Sequence, residues 1–167
     1  MNFFSRTVDR IMKICEWIVL IFLAISVLDI GLQVFCRKVL GSPLAWTEQV
    51  ARYLFIWMTM LGLPILFKRG YTLAFTLLFD SLPSKMQVAV DAFIKVAGII
   101  FSIYYFRSGI QYCLAAGSRL APGIQVPLNV VYVAQPVGAA LLFLVLLSQL
   151  IGDLSTAFKS EHQAGKG

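Results

Sequence analysis

The chain has 167 residues, 59% of them hydrophobic and 13% charged, with a mean hydropathy of +0.83 and a formal net charge of +6. Soluble domains carry about a quarter charged residues, so this composition excludes a water-soluble globular fold. The Lys and Arg residues lie at the ends of apolar runs and form no continuous stripe, which argues against nucleic acid as a partner.

Four apolar stretches follow one another: Ile14 to Cys36, Val50 to Phe67, Val88 to Phe106 and Pro127 to Ile151. A helix rises about 1.5 Å per residue and the hydrocarbon core is about 30 Å thick, so roughly 20 apolar residues make one crossing. The expected fold is an all-α integral membrane protein, one compact bundle of four transmembrane helices over residues 14–36, 47–67, 86–107 and 127–151. A polar tail covers 153–167, and the lipid bilayer is the first partner implied.

Arg6, Arg10 and Lys13 precede the first run, and Ala24-Ile25-Ser26 loosely resembles a signal cleavage site. The run continues past Ser26 to Cys36, longer than a signal core of roughly 7 to 15 residues, so an uncleaved first span is expected. Asp29 inside it costs about 3 kcal/mol on the insertion scale, whereas the 14 Leu, Ile, Val and Phe residues from Ile14 to Phe35 contribute roughly 0.4 each. Insertion therefore wins. Ser26, Asp29, Gln33 and Arg37 recur at helical spacing and make one polar stripe aimed at protein.

Gly41 can end the first helix and Ser42-Pro43 begin the next, which places Trp46 at the membrane surface as an interfacial anchor. On the second helix Glu48, Arg52, Thr59 and Gly62 share a face, with Glu48 and Arg52 spaced to pair, and Pro64 removes a donor from the carbonyl of Met60. Tyr71 to Phe79 is apolar but too short to cross, and a short interfacial helix between the second and third spans is expected there. Ser84 with Gln87 makes a capping box for the third span. Asp91, Lys95, Gly98, Ser102, Tyr105 and Gly109 then follow one helical face, the charges neutralising one another and the small residues permitting close contact.

Tyr104, Tyr105, Phe106, Arg107 and Tyr112 mark the far interface, and Gly117 to Pro127 reads as a loop. In the fourth span Pro136 lies between Ala134 and Gly138, a kink packed against a neighbour. Eight cations fall on the side of the N-terminus, the middle connection and the tail, against five (Arg37, Lys38, Arg52, Arg107 and Arg119) on the other, so both termini are expected in the cytoplasm.

The tract Gln33-Val34-Phe35-Cys36-Arg37, then Ser42-Pro43-Leu44-Ala45-Trp46-Thr47-Glu48-Gln49, then Ala51-Arg52-Tyr53-Leu54-Phe55-Ile56-Trp57 with Gly62 and Lys68-Arg69-Gly70, resembles the small membrane subunit of tripartite ATP-independent periplasmic (TRAP) transporters, the DctQ-like family. Asp80-Ser81-Leu82-Pro83, Ile124-Gln125-Val126-Pro127 and Pro136-Val137-Gly138 extend the likeness over nearly the whole chain. Tyr71-Thr72 stands where many members carry a histidine. The resemblance implies a bacterial inner-membrane scaffold without enzymatic activity or cofactor of its own. Its implied partners are a large many-helix subunit, which holds the substrate and sodium sites, and a periplasmic binding protein that delivers an organic acid such as sialic acid or a C4-dicarboxylate.

The residues agree with a scaffold role: they include no metal-ligating cluster and no grouping of nucleophile, base and orienting group. The lone His162 lies in the polar tail, and Cys15, Cys36 and Cys113 stand far apart, which disfavours intramembrane haem, zinc or disulfide chemistry. Asp29 is the one sharp alternative, a path-lining carboxylate in a self-associating small transporter; the plainer reading satisfies it with Arg52 or with the large subunit. Interface or structural roles are expected for Asp29, Gln33, Arg37, Trp46, Glu48, Arg52, Asp91, Lys95 and Pro136.

Overall fold

A computed structural model describes residues 3–39, 41, 45–69, 83–117, 119–121 and 124–164. The first helix, α1, runs over Phe3–Val39, α2 over Ala45–Lys68, α3 over Ser84–Ala116, the short α4 over Leu128–Tyr132 and α5 over Ala134–Ala164. Four segments are long and apolar enough to cross a membrane, Phe4–Val39, Trp46–Lys68, Met86–Ala116 and Leu128–Asp153, the last formed by α4 and α5 together. The interfacial helix expected over Tyr71 to Phe79 lies outside the described residues.

The helices outrun the apolar stretches at both termini, and one expected cap does not form. Helix α1 begins at Phe3, ahead of the apolar stretch from Ile14, because Val8, Met12 and Cys15 recur at four and three residues and are all buried in one cluster with Leu61 and Val145. The basic residues Arg6, Arg10 and Lys13 are carried on a helix whose other face is core. At the opposite end α5 continues as helix to Ala164 through the segment read as a polar tail. Helix α3 begins with Pro83 at its cap position and no side-chain cap hydrogen bond, so the Ser84–Gln87 capping box does not form. The Pro83 carbonyl instead accepts from the amides of Met86 at 2.8 Å and Gln87 at 3.1 Å.

The helices form an open row rather than a closed bundle. Helix α1 packs along α2, α2 along α5 and α5 along α3, while α1 and α3 make no substantial contact. The fourth span is central: 44% of its most apolar window is buried, against 11% for each of the other three. Lipid tails are as apolar as leucine, so helices in a bilayer associate by close packing and polar contacts rather than by the hydrophobic effect. Both kinds of contact are concentrated on α5.

Close packing occurs where a glycine faces a proline defect. Pro64 has no N–H to give the carbonyl of Met60 one turn earlier. That carbonyl lies against Gly138 of α5, where an added methyl carbon would sit 2.6 Å from the oxygen. Pro136 deprives the carbonyl of Tyr132 in the same way, and the fourth span breaks into α4 and α5 at Val133. The ring of Pro136 lies against Gly109 of α3, where a methyl carbon would meet its Cδ at 2.7 Å and its nitrogen at 2.9 Å. Gln135 donates across the same contact to the carbonyl of Tyr105 at 3.4 Å, and the Tyr105 hydroxyl reaches Met60 Sδ at 3.5 Å. Three helices are thereby keyed at one level.

Polar contacts gather at the end of the row that holds the start of α1, the end of α2, the start of α3 and the C-terminal part of α5. Lys68 pairs with Asp9, and Arg69 grips Glu16 with two nitrogens at 2.9 and 3.1 Å. Gln149 of α5 donates to the Phe67 carbonyl at 2.9 Å, satisfying one of the acceptors left open at the end of α2. Lys95, buried, is held between Asp91 of its own helix and Asp153 of α5. The face traced by Asp91, Lys95, Gly98, Ser102, Tyr105 and Gly109 is therefore the α3 surface that packs on α5, with Gly98 meeting Leu146 as Gly109 meets Pro136.

Two outcomes test this packing. Gly138→Ala and Gly109→Ala should each cost about 1–3 kcal/mol, because the methyl collides with backbone or a proline ring, whereas Gly98→Ala, which meets only the flexible end of Leu146, should cost less than about 1. Unfolding in mixed micelles measures all three, and equal sensitivity would contradict the assignment. Lys95→Met should cost about 1–2 kcal/mol, below the roughly 3–5 of a fully buried pair because water reaches both carboxylates. Adding Asp153→Asn to that variant should recover part of the loss.

Candidate subunit interface

An open row presents two broad faces and two edge helices to its surroundings. Leu20, Leu28 and Phe35 of α1 and Phe93, Tyr104 and Leu114 of α3 are among the exposed apolar side chains on those edges. In a bilayer such surface suits lipid and protein equally, so the polar groups along the spans are the more informative features.

On α1 the buried line is Ser26, Asp29 and Cys36, with Gln33 half-buried, whereas Arg37 is exposed. The stripe read from spacing thus keeps its first three members and passes to Cys36 instead of Arg37. Asp29 is 8% exposed and Ser26 7%, and neither Asp29 Oδ2 nor Ser26 Oγ has a hydrogen-bond partner among the described residues. Arg52 does not supply one. It lies on the outer surface of α2 and pairs with Glu48 at 3.0 Å, the two side chains 58% and 65% exposed. The expected pairing of Asp29 with Arg52 is therefore replaced by the Glu48–Arg52 pair alone.

Trp46 opens the second spanning segment with its ring exposed, next to Thr47, which is fully buried. Asp91 and Lys95 neutralise one another as their spacing suggests, but Asp153 joins them from α5, and Pro136 is buried at the α3 contact. Among the described residues no group of three or more His, Cys, Asp and Glu side chains could hold a metal ion.

The sequence sets Arg107 at the far interface, the end of a span over 86–107, yet α3 continues helical for nine residues beyond it to Ala116. Gly117, with φ of +54°, ends it. Arg107 is exposed within the span and forms no ion pair among the described residues. An arginine at that depth costs about 2.5–3.5 kcal/mol on the insertion scale. It lines an apolar groove of about 360 Å³ between α3 and α5 with Ser102, Phe106, Ala139, Ala140 and Phe143. The pairs Asp9–Lys68 and Glu16–Arg69 were also missed, since only the antiparallel register of α1 and α2 brings them together.

The chain matches the family described as tripartite ATP-independent periplasmic transporters, DctQ component, over residues 26–156. It is 29% identical over 151 residues to a putative TRAP transporter small permease protein of Haemophilus influenzae, covering 89% of this chain and 92% of that protein. It is 31% identical over 68 residues to the sialic acid TRAP transporter small permease protein SiaQ of Vibrio cholerae, covering 41% and 39%. Over 121 residues it is 28% identical to the isethionate TRAP transporter permease protein DctMQ of Oleidesulfovibrio alaskensis; this takes in 68% of the chain but spans only 18% of that relative's length. The match runs from the buried polar stripe of α1 to just beyond the Lys95–Asp153 contact and takes in α2, α3 and α4 whole, most of α5 and the C-terminal part of α1, and the chain belongs to the DctQ component family of TRAP transporters.

Proposed function

We propose that this small TRAP permease subunit is the fixed scaffold beside a larger permease in a sodium-coupled importer of an organic acid, captured outside by a periplasmic binding protein. The observation that carries the reading is the row itself: it is internally keyed by backbone-tight contacts, yet keeps charged and apolar side chains on outward surfaces that nothing among the described residues covers. A fixed partner requires such a rigid, complementary surface and no substrate site.

The relatives support the partner and the substrate class. In the Oleidesulfovibrio protein the matching region is 18% of one much longer TRAP transporter permease chain, as expected where a small subunit works beside a larger permease. The substrates in the relatives' names, isethionate and sialic acid, are a sulfonate and a carboxylate, both organic anions. Sialic acid or a C4-dicarboxylate fits that class. Sodium is assigned to the large subunit, since a cation site of protein oxygens needs several ligands and Asp29 offers one isolated carboxylate.

Orientation follows from charge. The ion-paired end carries Arg6, Arg10, Lys13, Lys68 and Arg69, while the other retains Arg37, Lys38, Arg52 and Arg119 once Arg107 is placed inside the span. Both termini are thus assigned to the cytoplasmic side of a bacterial inner membrane.

Reconstitution of this chain with the many-span permease and solute receptor from neighbouring reading frames should give sodium-driven uptake that needs all three components. Robust flux through this chain alone would overturn the scaffold reading and favour the small autonomous transporter with Asp29 on its path. Glu48→Ala with Arg52→Ala should leave the isolated chain's stability within about 1 kcal/mol, as for other exposed pairs, while reducing transport through weaker assembly. Undiminished transport removes that role. Asp29→Asn should retain both assembly and sodium coupling; lost coupling in an intact complex would give Asp29 a direct part in transport.

A further inference from the structure

The groove between α3 and α5 contains the least explained charge in the protein. Arg107 lies 12 residues of continuous helix beyond Lys95, about 18 Å along the axis from the ion-paired end. Its neighbours in the groove, Ala139 and Ala140, adjoin Gly138, which packs on Met60, eight residues inside the end of α2 at Lys68 and fourteen from Trp46. Arg107 thus lies inside the candidate span Met86–Ala116, about 18 Å from Lys95 and about 14 Å from the far end of the helix. The groove beside it is lined by Ile103, Phe106, Ala139, Phe143 and Leu144, with the buried Ser102, whose hydroxyl donates to the Ile99 carbonyl at 2.8 Å, and its lining includes no carboxylate to neutralise the guanidinium.

Depth separates the two anions that could meet this cation. Phospholipid phosphates lie beyond about 15 Å from the midplane, outside the hydrocarbon core. A helical side chain leans toward its helix N-terminus, which on α3 is the ion-paired end about 18 Å away. A carboxylate on another membrane helix can instead be presented at the depth of Arg107 itself. Intramembrane charges pair with one another in just this way.

We propose that the α3–α5 groove seats a transmembrane helix of the larger permease, with a carboxylate of that helix on Arg107 and an apolar side chain of it in the groove. This rests on the scaffold reading above and specifies which face of the row is the docking face. The charge complementarity is one-to-one, so the contact also fixes the depth of one subunit against the other. The α1 edge, whose Asp29 is turned inward, is left to lipid.

The test uses the assembled complex in nanodiscs, with the dissociation constant between the two membrane subunits as its readout and circular dichroism of each variant confirming the fold. Arg107→Met should weaken association at least tenfold, Arg107→Glu should abolish it, and Arg107→Lys should retain most of it. Replacing the facing permease carboxylate by its amide should reproduce the Arg107→Met loss, and reversing both charges should restore binding to Arg107→Glu. Cysteines at Ala140 and on that permease helix should cross-link. Wild-type affinity in both Arg107→Met and Arg107→Glu would overturn the docking face while leaving the scaffold reading intact. A wild-type chain that fails to associate with the permease would sink both. Native mass spectrometry showing an anionic lipid held by the wild-type complex and lost from Arg107→Met, with subunit affinity unchanged, would assign the groove to a headgroup and overturn the proposal.

Discussion

A proline inside a membrane helix removes a hydrogen from a carbonyl that no water can reach, and the arrangement of this protein depends on how two such defects are covered. Pro64 strips the donor from Met60, and Gly138 brings the backbone of α5 against that oxygen. Pro136 opens the fourth span at Val133, and Gly109 brings α3 against its ring. Each glycine is the one residue whose missing side chain allows the approach. Two prolines and two glycines, none charged, thus fix α2, α5 and α3 against one another at a single level.

Charge then decides the ends. Asp9, Glu16, Asp91 and Asp153 meet Lys68, Arg69 and Lys95 at one end of the row, so most charge there is neutralised within the chain. The opposite end and the groove are different. Glu48 and Arg52 neutralise one another outside the packed row, and Arg107 remains without an anion among the described residues. Internal polarity is spent on rigidity at one end, and outward polarity is left uncovered at the other.

The open row also explains why so apolar a chain contains so little core. Helix α1 packs mainly on α2 and α3 mainly on α5, so most of their circumference faces outward, and α5 is the most buried span. A closed bundle would bury Asp29 and Arg107 toward a common centre. The row separates them onto opposite edge helices, with Asp29 buried and Arg107 exposed beside the groove. Neither can neutralise the other.

Much of this was written in the residue order. Runs of about 20 apolar residues specify four crossings because the hydrocarbon thickness sets the length, and helical spacing alone identified the α3 face from Asp91 to Gly109 that packs on α5. Family membership was legible from the Trp46-Thr47-Glu48 to Arg52-Tyr53 tract for the same reason that any dense local motif is: its members are neighbours in the chain. What the sequence left open were contacts between residues far apart in it. Gly138 and Met60, Lys95 and Asp153, and Arg69 and Glu16 meet only once antiparallel helices adopt one register, and register is set by packing across the whole interface. The core role of Val8 and Met12 was hidden by the basic residues between them, and the depth of Arg107 by a helix that outruns its apolar stretch. Periodicity tells each helix which face to bury; only tertiary structure tells it against what, and at which height.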